Sequence, residues 1–217
     1  TNHCDYCPPV LHNGENHHYD WEVAKEFLHR LFKQYPRIVA SISGGEPTVS
    51  PFFPELVRLF YDNGHGLGLT TNGVRPVKYW EEIAPYLSYV CFSYHPSYDD
   101  DKFVEKLECC AKHTSTTARI MMDSRHWDRA VDMFTCCSSI PTIRTEAVRI
   151  IPERSFRHVG DDYTEEQLQW FVDHPMVIEQ EFLHMESPLY KYASPVVQAV
   201  NEGQKDPVRL DTSYAIA

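Results

Sequence analysis

Residues 37–50 read RIVASISGGEPTVS, and this stretch decides the fold class. Its first seven residues are rich in β-branched and apolar side chains, which is typical of a buried strand. Gly44 and Gly45 then permit a tight turn with close approach of the backbone to a ligand, and Glu46 can meet a cationic group. Paired glycines before a helix are also ordinary turn chemistry, so the stretch taken alone predicts a strand, a turn and a helix.

The same unit of strand, turn and helix repeats along the chain. Apolar residues at helical spacing predict helices over 19–35, 51–62, 77–84, 102–113, 127–137 and 165–173. Ser50 is expected to cap the second of these, with Pro51 at its first position. Short, mainly apolar runs predict strands over 37–43, 66–71, 89–93, 118–123 and 146–151, and 177–183 is a further candidate strand. The first five strands alternate with single helices, which implies right-handed crossovers and a parallel sheet.

Polar residues follow several of the predicted strands. In parallel sheets flanked by helices, ligands bind beyond the carboxyl ends of the strands. We therefore expect one site at this rim, formed by residues 43–46, 71–73 and 93–95 together with Asp123 and Arg149.

Composition limits the classes of function. The 217 residues, 42% of them hydrophobic, can bury one sizeable core, and the net charge of −11 disfavours non-specific binding to nucleic acid or to anionic lipid. No apolar run approaches the length of a membrane span and no secretory leader precedes Cys4, so we expect a cytoplasmic protein without a membrane partner. Seven cysteines, two of them close together near one end, favour metal binding over a disulfide framework.

The pair of close cysteines lies in the segment Cys4-Asp5-Tyr6-Cys7-Pro8. Two thiols at this spacing can hold one metal ion or cluster, but a zinc knuckle and a redox pair share the pattern. Pro8 and the proline after it disfavour the redox pair, whose second thiol lies in a helix. A zinc site completed by His17 and His18 is the alternative, although adjacent histidines seldom converge on one tetrahedral ion.

Taken together, the cysteine segment, the strand-GGEPT-helix unit and the strand-TNG unit at 66–73 resemble the radical S-adenosylmethionine (SAM) superfamily over residues 1 to about 152. The family's cluster motif is CxxxCxxC. Cys4 and Cys7 match its second and third cysteines and Tyr6 its aromatic residue, so the first cysteine is expected immediately before Thr1.

The resemblance implies a fold and a division of the chain. The fold is the family's partial (β/α)6 TIM barrel of parallel strands, with the first strand expected upstream of Thr1. The core is then residues 1–152, and residues 153–217 form a mostly helical or irregular extension.

The resemblance also implies a reaction and its site. Three thiolates, Cys4 and Cys7 among them, would hold a 4Fe-4S cluster that reductively cleaves SAM to a 5′-deoxyadenosyl radical, which abstracts hydrogen from a substrate. The SAM ammonium would meet Gly44, Gly45 and Glu46, with Pro47 shaping the turn. The other implied contacts are the Tyr6 backbone with adenine, Ser93 with ribose, Asn72 on the same face, and Arg149 or Arg119 with the SAM carboxylate.

The substrate stays open at this stage. A peptide or protein is our first expectation, and small molecules, nucleotides, RNA and activation of a glycyl-radical partner are alternatives within the family. Residues 153–217 contain no cysteine, so no auxiliary cluster is expected there. An electron donor such as flavodoxin or ferredoxin would be a partner. The rival from another class is a non-catalytic zinc-binding α/β module.

Three further features of the sequence are expected to have structural roles. His95-Pro96 is expected to form a turn more readily than a substrate pocket. Asp99, Asp100 and Asp101 are expected to favour the start of the following helix through its dipole and not to bind metal. The remaining cysteines, which are Cys91, Cys109, Cys110, Cys136 and Cys137, are expected to be small buried residues.

Overall fold

The computed structural model describes Tyr6 and residues 20–98, 100–150 and 162–174. Helices and strands alternate through these ranges. The helices are α1 (Trp21–Gln34), α2 (Phe53–Asp62), α3 (Val77–Ile83), α4 (Phe103–Ala111), α5 (Trp127–Ser138) and α6 (Glu165–Asp173). The strands are β1 (Val39–Ile42), β2 (Gly66–Thr71), β3 (Tyr89–Tyr94), β4 (Ser115–Met122) and β5 (Ile143–Arg149).

The five strands form one parallel sheet in the order β1-β2-β3-β4-β5. Right-handed crossovers between neighbours in sequential order place α2, α3, α4 and α5 on the same side of the sheet. One face is therefore packed against helices and the other is open. Within the described residues β1 and β5 do not pair, so the sheet is not closed. This confirms the predicted fold class, an α/β domain with the parallel strands of a partial barrel.

The core lies between the sheet and its helices. Its largest fully buried side chains include Trp80, Phe92 and Phe103, whose rings meet edge to face with centroids 4.6 Å and 6.2 Å apart. Edge-to-face contacts of this kind add to the free energy gained by burying the rings. The alternation along β3, where Val90, Phe92 and Tyr94 join the core, leaves Cys91 and Ser93 on the open face.

Most element boundaries agree with the sequence prediction to within two residues, and three departures have a clear physical reason. β4 and β5 begin three residues earlier than expected, because the polar threonines at 116 and 117 pair with Ile143 and Arg144. Helix α2 is not capped by Ser50. A 3-10 turn over Pro47–Val49 intervenes, so α2 begins at Phe53 with Phe52 as its N-cap, and the Ser50 hydroxyl accepts the Phe52 amide at 3.4 Å.

The carboxyl-terminal part of the chain is described only in part. Helix α6 has the predicted bounds and begins with a capping box between Thr164 and Gln167. The predicted strand over 177–183 and the domain boundary at 152 lie outside the described residues. In the part of the chain that the structure covers, no helix is both long and apolar enough to cross a bilayer.

The cysteines that follow residue 90 were expected to be buried. This is correct for Cys91, Cys109, Cys110 and Cys137 and wrong for Cys136, which is exposed. Burial raises the pKa of the Cys91 thiol to about 11 and that of the Cys110 and Cys137 thiols to about 12. These thiols stay protonated near neutral pH and are therefore poor nucleophiles and poor metal ligands.

Candidate functional site

The loops after β1, β2 and β3 meet at the carboxyl-end rim of the sheet. Glu46 follows β1, Asn72 follows β2 and Ser93 lies near the end of β3. The strand register places two further residues in line with Ser93, because Ser93 pairs with Arg119 on β4 and Arg119 pairs with Glu146 on β5. Residues that lie side by side on neighbouring strands share a face of the sheet. The structure thus brings the predicted residues Glu46, Asn72 and Ser93 to one rim.

Glu46 is buried beneath the glycine turn and is hydrogen-bonded on both oxygens. Its Oε1 accepts the Thr48 amide at 3.1 Å, the Thr48 hydroxyl at 2.5 Å and the Thr71 hydroxyl at 2.8 Å. Its Oε2 accepts the amide of Asn72 at 2.7 Å. Hydrogen bonds to an ionised acceptor are the stronger kind. The carboxylate therefore joins the end of β1 to the end of β2, a role that the sequence reading had not assigned to it.

The turn above Glu46 presents backbone to the open side. Gly44 and Gly45 are exposed, whereas Glu46 is only 6% exposed. Gly44 has φ of 132°, in the region that favours glycine, and Pro47 begins the 3-10 turn whose amide Glu46 caps. An exposed glycine backbone over a fixed carboxylate can approach a polar ligand closely and without side-chain hindrance.

The Thr71-Asn72-Gly73 loop is fixed by its own hydrogen bonds. The Asn72 side-chain oxygen accepts the Val74 amide and the Thr71 hydroxyl accepts the Gly73 amide, both at 3.0 Å. Gly73 has φ of 72°, and a Cβ there would lie 3.1 Å from the Phe92 ring. Glycine is thus required both by the backbone conformation and by the lack of space.

Lys106 on α4 supports the same loop from below. Its ammonium donates to the Gly73 carbonyl at 2.8 Å and to both oxygens of Asp100 at 2.9 Å. Asp100 also accepts the Lys102 amide at 3.2 Å, just before the helix begins. The expected effect of the aspartates on the helix dipole stays a prediction, and the structure adds an ion pair between Asp100 and Lys106. The lysine was missed from the sequence, although its position one turn after Phe103, on the apolar side of α4, was the available signal.

A cavity of about 180 Å³ opens beside this loop. Its polar lining comes from the rim and from α4, and its apolar wall from Tyr94 and Phe103. The polar residues are Asn72, Ser93, His95, Tyr98, Asp100 and Lys106. A cavity of 150 Å³ accommodates a benzene ring, so this one has room for one planar ring or one sugar.

Tyr6 connects the cysteine segment to this rim. Its hydroxyl lies 2.5 Å from Nδ1 of His95, and the two rings stack with centroids 5.8 Å apart and 16° between their planes. Tyr6 is buried in a small cluster with Ile150, Tyr98 and Met121. The expected turn at His95 is also present, because the Tyr98 amide donates to the His95 carbonyl at 3.0 Å. Cys4 and Cys7, the predicted metal ligands on either side of Tyr6, lie outside the described residues.

Burial lowers the pKa of His95 to about 4, whereas an unfolded chain has a histidine pKa near 6.5. Between these values the unfolded chain binds more protons at residue 95, so stability falls as pH falls through this window. We expect His95→Phe to make the unfolding free energy of the metal-free chain less dependent on pH between about 6.5 and about 4. Urea denaturation at several pH values measures this slope, and equal slopes in both proteins would contradict the prediction.

The two candidate arginines face different surroundings. The Arg149 guanidinium lies over the rings of Tyr163 and Phe171, 5.7 Å and 6.0 Å from their centroids, beside α6. Arg119 shares the row of Ser93 and donates from Nε and Nη2 to Oε2 of Glu146, at 3.2 Å and 3.1 Å. Arg144 contacts the other oxygen of Glu146 at 3.1 Å. Two guanidinium groups around one carboxylate leave one positive charge in excess among these three side chains.

The described residues contain no candidate metal site of their own. No group of three or more histidine, cysteine, aspartate or glutamate side chains there could hold a metal ion. The zinc alternative rests on Cys4, Cys7, His17 and His18, all of which lie outside the described ranges.

A comparison with known protein families matches residues 1–133 to the Radical SAM superfamily. Among solved structures, the crystal structure of archaeal TYW1 is similar with 19% sequence identity and a TM-score of 0.37, covering 62% of this chain and 60% of that chain. The chain thus spans less than two thirds of this neighbour. A comparison with curated proteins gives no match.

Proposed function

The chain belongs to the radical SAM superfamily, and we propose that it forms the catalytic core of an enzyme that binds SAM at the rim of β1, β2 and β3. Cys4 and Cys7 would hold a 4Fe-4S cluster together with a third thiolate. The observation that carries the proposal is the position of Tyr6. This residue lies between the two cysteines in sequence and contacts the rim at His95, where Asn72 and Ser93 also lie.

The residues at the rim fit the groups of SAM. Gly44 and Gly45 offer exposed backbone to the ammonium, and Pro47 continues the turn. Glu46 directs most of its acceptor capacity into the protein, so we assign it chiefly the task of holding this turn. Its Oε2, which has one partner among the described residues, keeps capacity for an ammonium hydrogen. Asn72 and Ser93 line a cavity large enough for the ribose or the adenine, and the Tyr6 backbone would meet the adenine.

Arg119 is the better placed partner for the SAM carboxylate. It lies beside Ser93 in the strand register, on the open face, whereas Arg149 packs over aromatic rings beside α6. An arginine can bind a carboxylate through two parallel hydrogen bonds, and this geometry adds both affinity and orientation.

Substitution of the two arginines distinguishes the assignments. We expect Arg119→Ala to weaken SAM binding about tenfold or more, the effect of losing one charge-assisted hydrogen bond, and Arg149→Ala to change it less than about threefold. Equilibrium binding of SAM to the reconstituted full-length protein measures both. A larger effect of Arg149→Ala than of Arg119→Ala would instead assign the SAM carboxylate to Arg149.

When bound, the cluster supplies the electron that cleaves SAM to methionine and a 5′-deoxyadenosyl radical. The protein's part is to bind, orient and shield. Glu46 and Lys106 fix two neighbouring loops from below, and these loops place Asn72 at the cavity. Preorganised polar groups of this kind lose little entropy when a ligand binds.

The test is anaerobic reconstitution of the full-length protein with iron and sulfide, followed by incubation with SAM and a strong reductant. We expect a brown, oxygen-sensitive protein that releases 5′-deoxyadenosine, with the double variant Cys4→Ala/Cys7→Ala as the blank. A colourless protein that binds zinc in place of iron, or a brown one that never cleaves SAM, would overturn the proposal. The first of these outcomes would favour the zinc module.

The substrate remains a prediction, with a peptide or protein first and a small molecule, nucleotide, RNA or glycyl-radical partner as alternatives. Tracing deuterium from substrate into 5′-deoxyadenosine in extracts of the host would identify it. The net charge of −11 supports a substrate other than non-specifically bound nucleic acid. A flavodoxin or ferredoxin as electron donor and a cytoplasmic location are parts of the same proposal.

A further inference from the structure

We infer that His95 is a positioning residue for the cysteine segment: by holding Tyr6 at the end of β3, it fixes the loop whose thiols, under the proposed function, bind the cluster. The inference rests on that proposed function and adds to it a residue outside the cysteine and glycine motifs. His95 would not touch the cluster. It would act through Tyr6.

The contact between the two residues is both polar and apolar. The hydroxyl of Tyr6 and Nδ1 of His95 are 2.5 Å apart, and the rings stack almost in parallel. Because a phenol is a stronger acid than a neutral imidazole N–H, the hydroxyl donates and Nδ1 accepts, which leaves the ring proton on Nε2. Tyr6 is only 8% exposed, so this hydrogen bond is largely shielded from competing water.

Three strand ends enclose Tyr6. His95 follows β3, Met121 lies near the end of β4 and Ile150 follows β5. The residue is therefore held against the rim by packing, while the bond to His95 sets its position and direction. A stacked ring alone can slide, whereas a hydrogen bond to one ring nitrogen cannot do so without breaking.

The position of Tyr6 affects the proposed cluster ligands directly. Cys7 is the next residue after Tyr6, and consecutive Cα atoms are about 3.8 Å apart, so a displacement of Tyr6 is transmitted to a ligand. Side chains that orient the ligands of a metal site typically change metal affinity or activity by 10- to 100-fold when they are removed. We assign His95 to this class of residue.

The test uses two substitutions that each remove the bond while keeping an aromatic ring. Tyr6→Phe removes the donor and His95→Phe removes the acceptor. Tyr61→Phe, the same chemical change at a residue that is 54% exposed, is the matched control. We expect both variants of the full-length protein to lose iron to a chelator about tenfold faster than the wild type. The double variant should be no faster than either single variant, because the two changes break one bond.

A second readout concerns the metal-free 217-residue chain. Nitrogen NMR of its histidine rings should give His95 as the neutral tautomer with the proton on Nε2 at pH 6, and Tyr6→Phe should shift Nδ1 away from its hydrogen-bonded value. This readout follows the bond directly and needs neither cluster nor SAM.

The outcomes separate the two hypotheses. Equal rates of iron loss in the wild type, Tyr6→Phe and His95→Phe would overturn the inference and leave the proposed function standing. A double variant in which the two increases in the rate of iron loss multiply would also overturn the inference. A wild-type protein that takes up no cluster would overturn the proposed function and this inference with it.

Discussion

Glu46→Gln is expected to destabilise the metal-free chain by about 2–3 kcal/mol, although it only replaces one carboxylate oxygen by an uncharged NH2 group. The glutamine oxygen can replace Oε1 and accept from Thr48 and Thr71. Its amide nitrogen would then face the amide of Asn72, which now donates to Oε2 at 2.7 Å, and two donors would oppose each other in a buried site. Glu46→Ala removes every acceptor and is expected to cost about 3–5 kcal/mol. Urea denaturation of the metal-free chain measures both values.

The same substitutions should weaken SAM binding, since the carboxylate holds the turn that carries Gly44 and Gly45. A displacement of about 1 Å in a group that positions the substrate can also reduce the rate of an enzymatic reaction about 100-fold. Glu55→Gln is the matched control, because Glu55 is exposed and pairs with Lys25 on the surface. We expect Glu55→Gln to cause no measurable change in stability or in SAM binding. If Glu46→Gln weakened SAM binding with no loss of stability, the carboxylate would act on the ligand directly and not through the turn.

The parallel sheet could be predicted from the sequence because each unit has local signals at its ends. Pro36 ends the region of α1, paired glycines follow β1, and short apolar runs bounded by polar residues mark β2 and β3. The starts of β4 and β5 could not be predicted in this way. Polar residues at 115–117 become strand because β3 on one side and β5 on the other offer a ladder, which is a tertiary effect.

The rim could be predicted only as a set of positions. Strand ends indicated that Glu46, Asn72 and Ser93 would lie together, because parallel strands share an edge. Sequence could not show that the Glu46 carboxylate turns inward to Thr71, 25 residues away. Nor could it show that Tyr6 meets a histidine 89 residues along the chain. Such contacts depend on how the loops pack, and no local pattern encodes them.

Asp100→Asn is expected to be the second most damaging change, because it leaves the Lys106 ammonium without a counter-charge. The lysine side chain is 7% exposed and that of the aspartate 23%. Removing one partner of a buried pair typically costs about 3–5 kcal/mol, and the more buried charge suffers more when it is left alone. We therefore expect about 3 kcal/mol for Asp100→Asn and about 1–2 kcal/mol for Lys106→Met, whose partner can regain water.

The double variant gives the sharper test of this ion pair. Once Lys106 is methionine, no buried ammonium remains to be stranded, so adding Asp100→Asn should cost little more. Lys102→Met is the control, since its ion pair with Glu105 is exposed on both sides, and no measurable change in stability is expected.

Lys106 also donates to the Gly73 carbonyl, and its loss should loosen the loop that holds Asn72 at the cavity. SAM affinity should then fall in Lys106→Met and stay unchanged in Lys102→Met. Simple addition of the two single effects on stability would show that the charges act independently, and the pair would then not be what holds this loop.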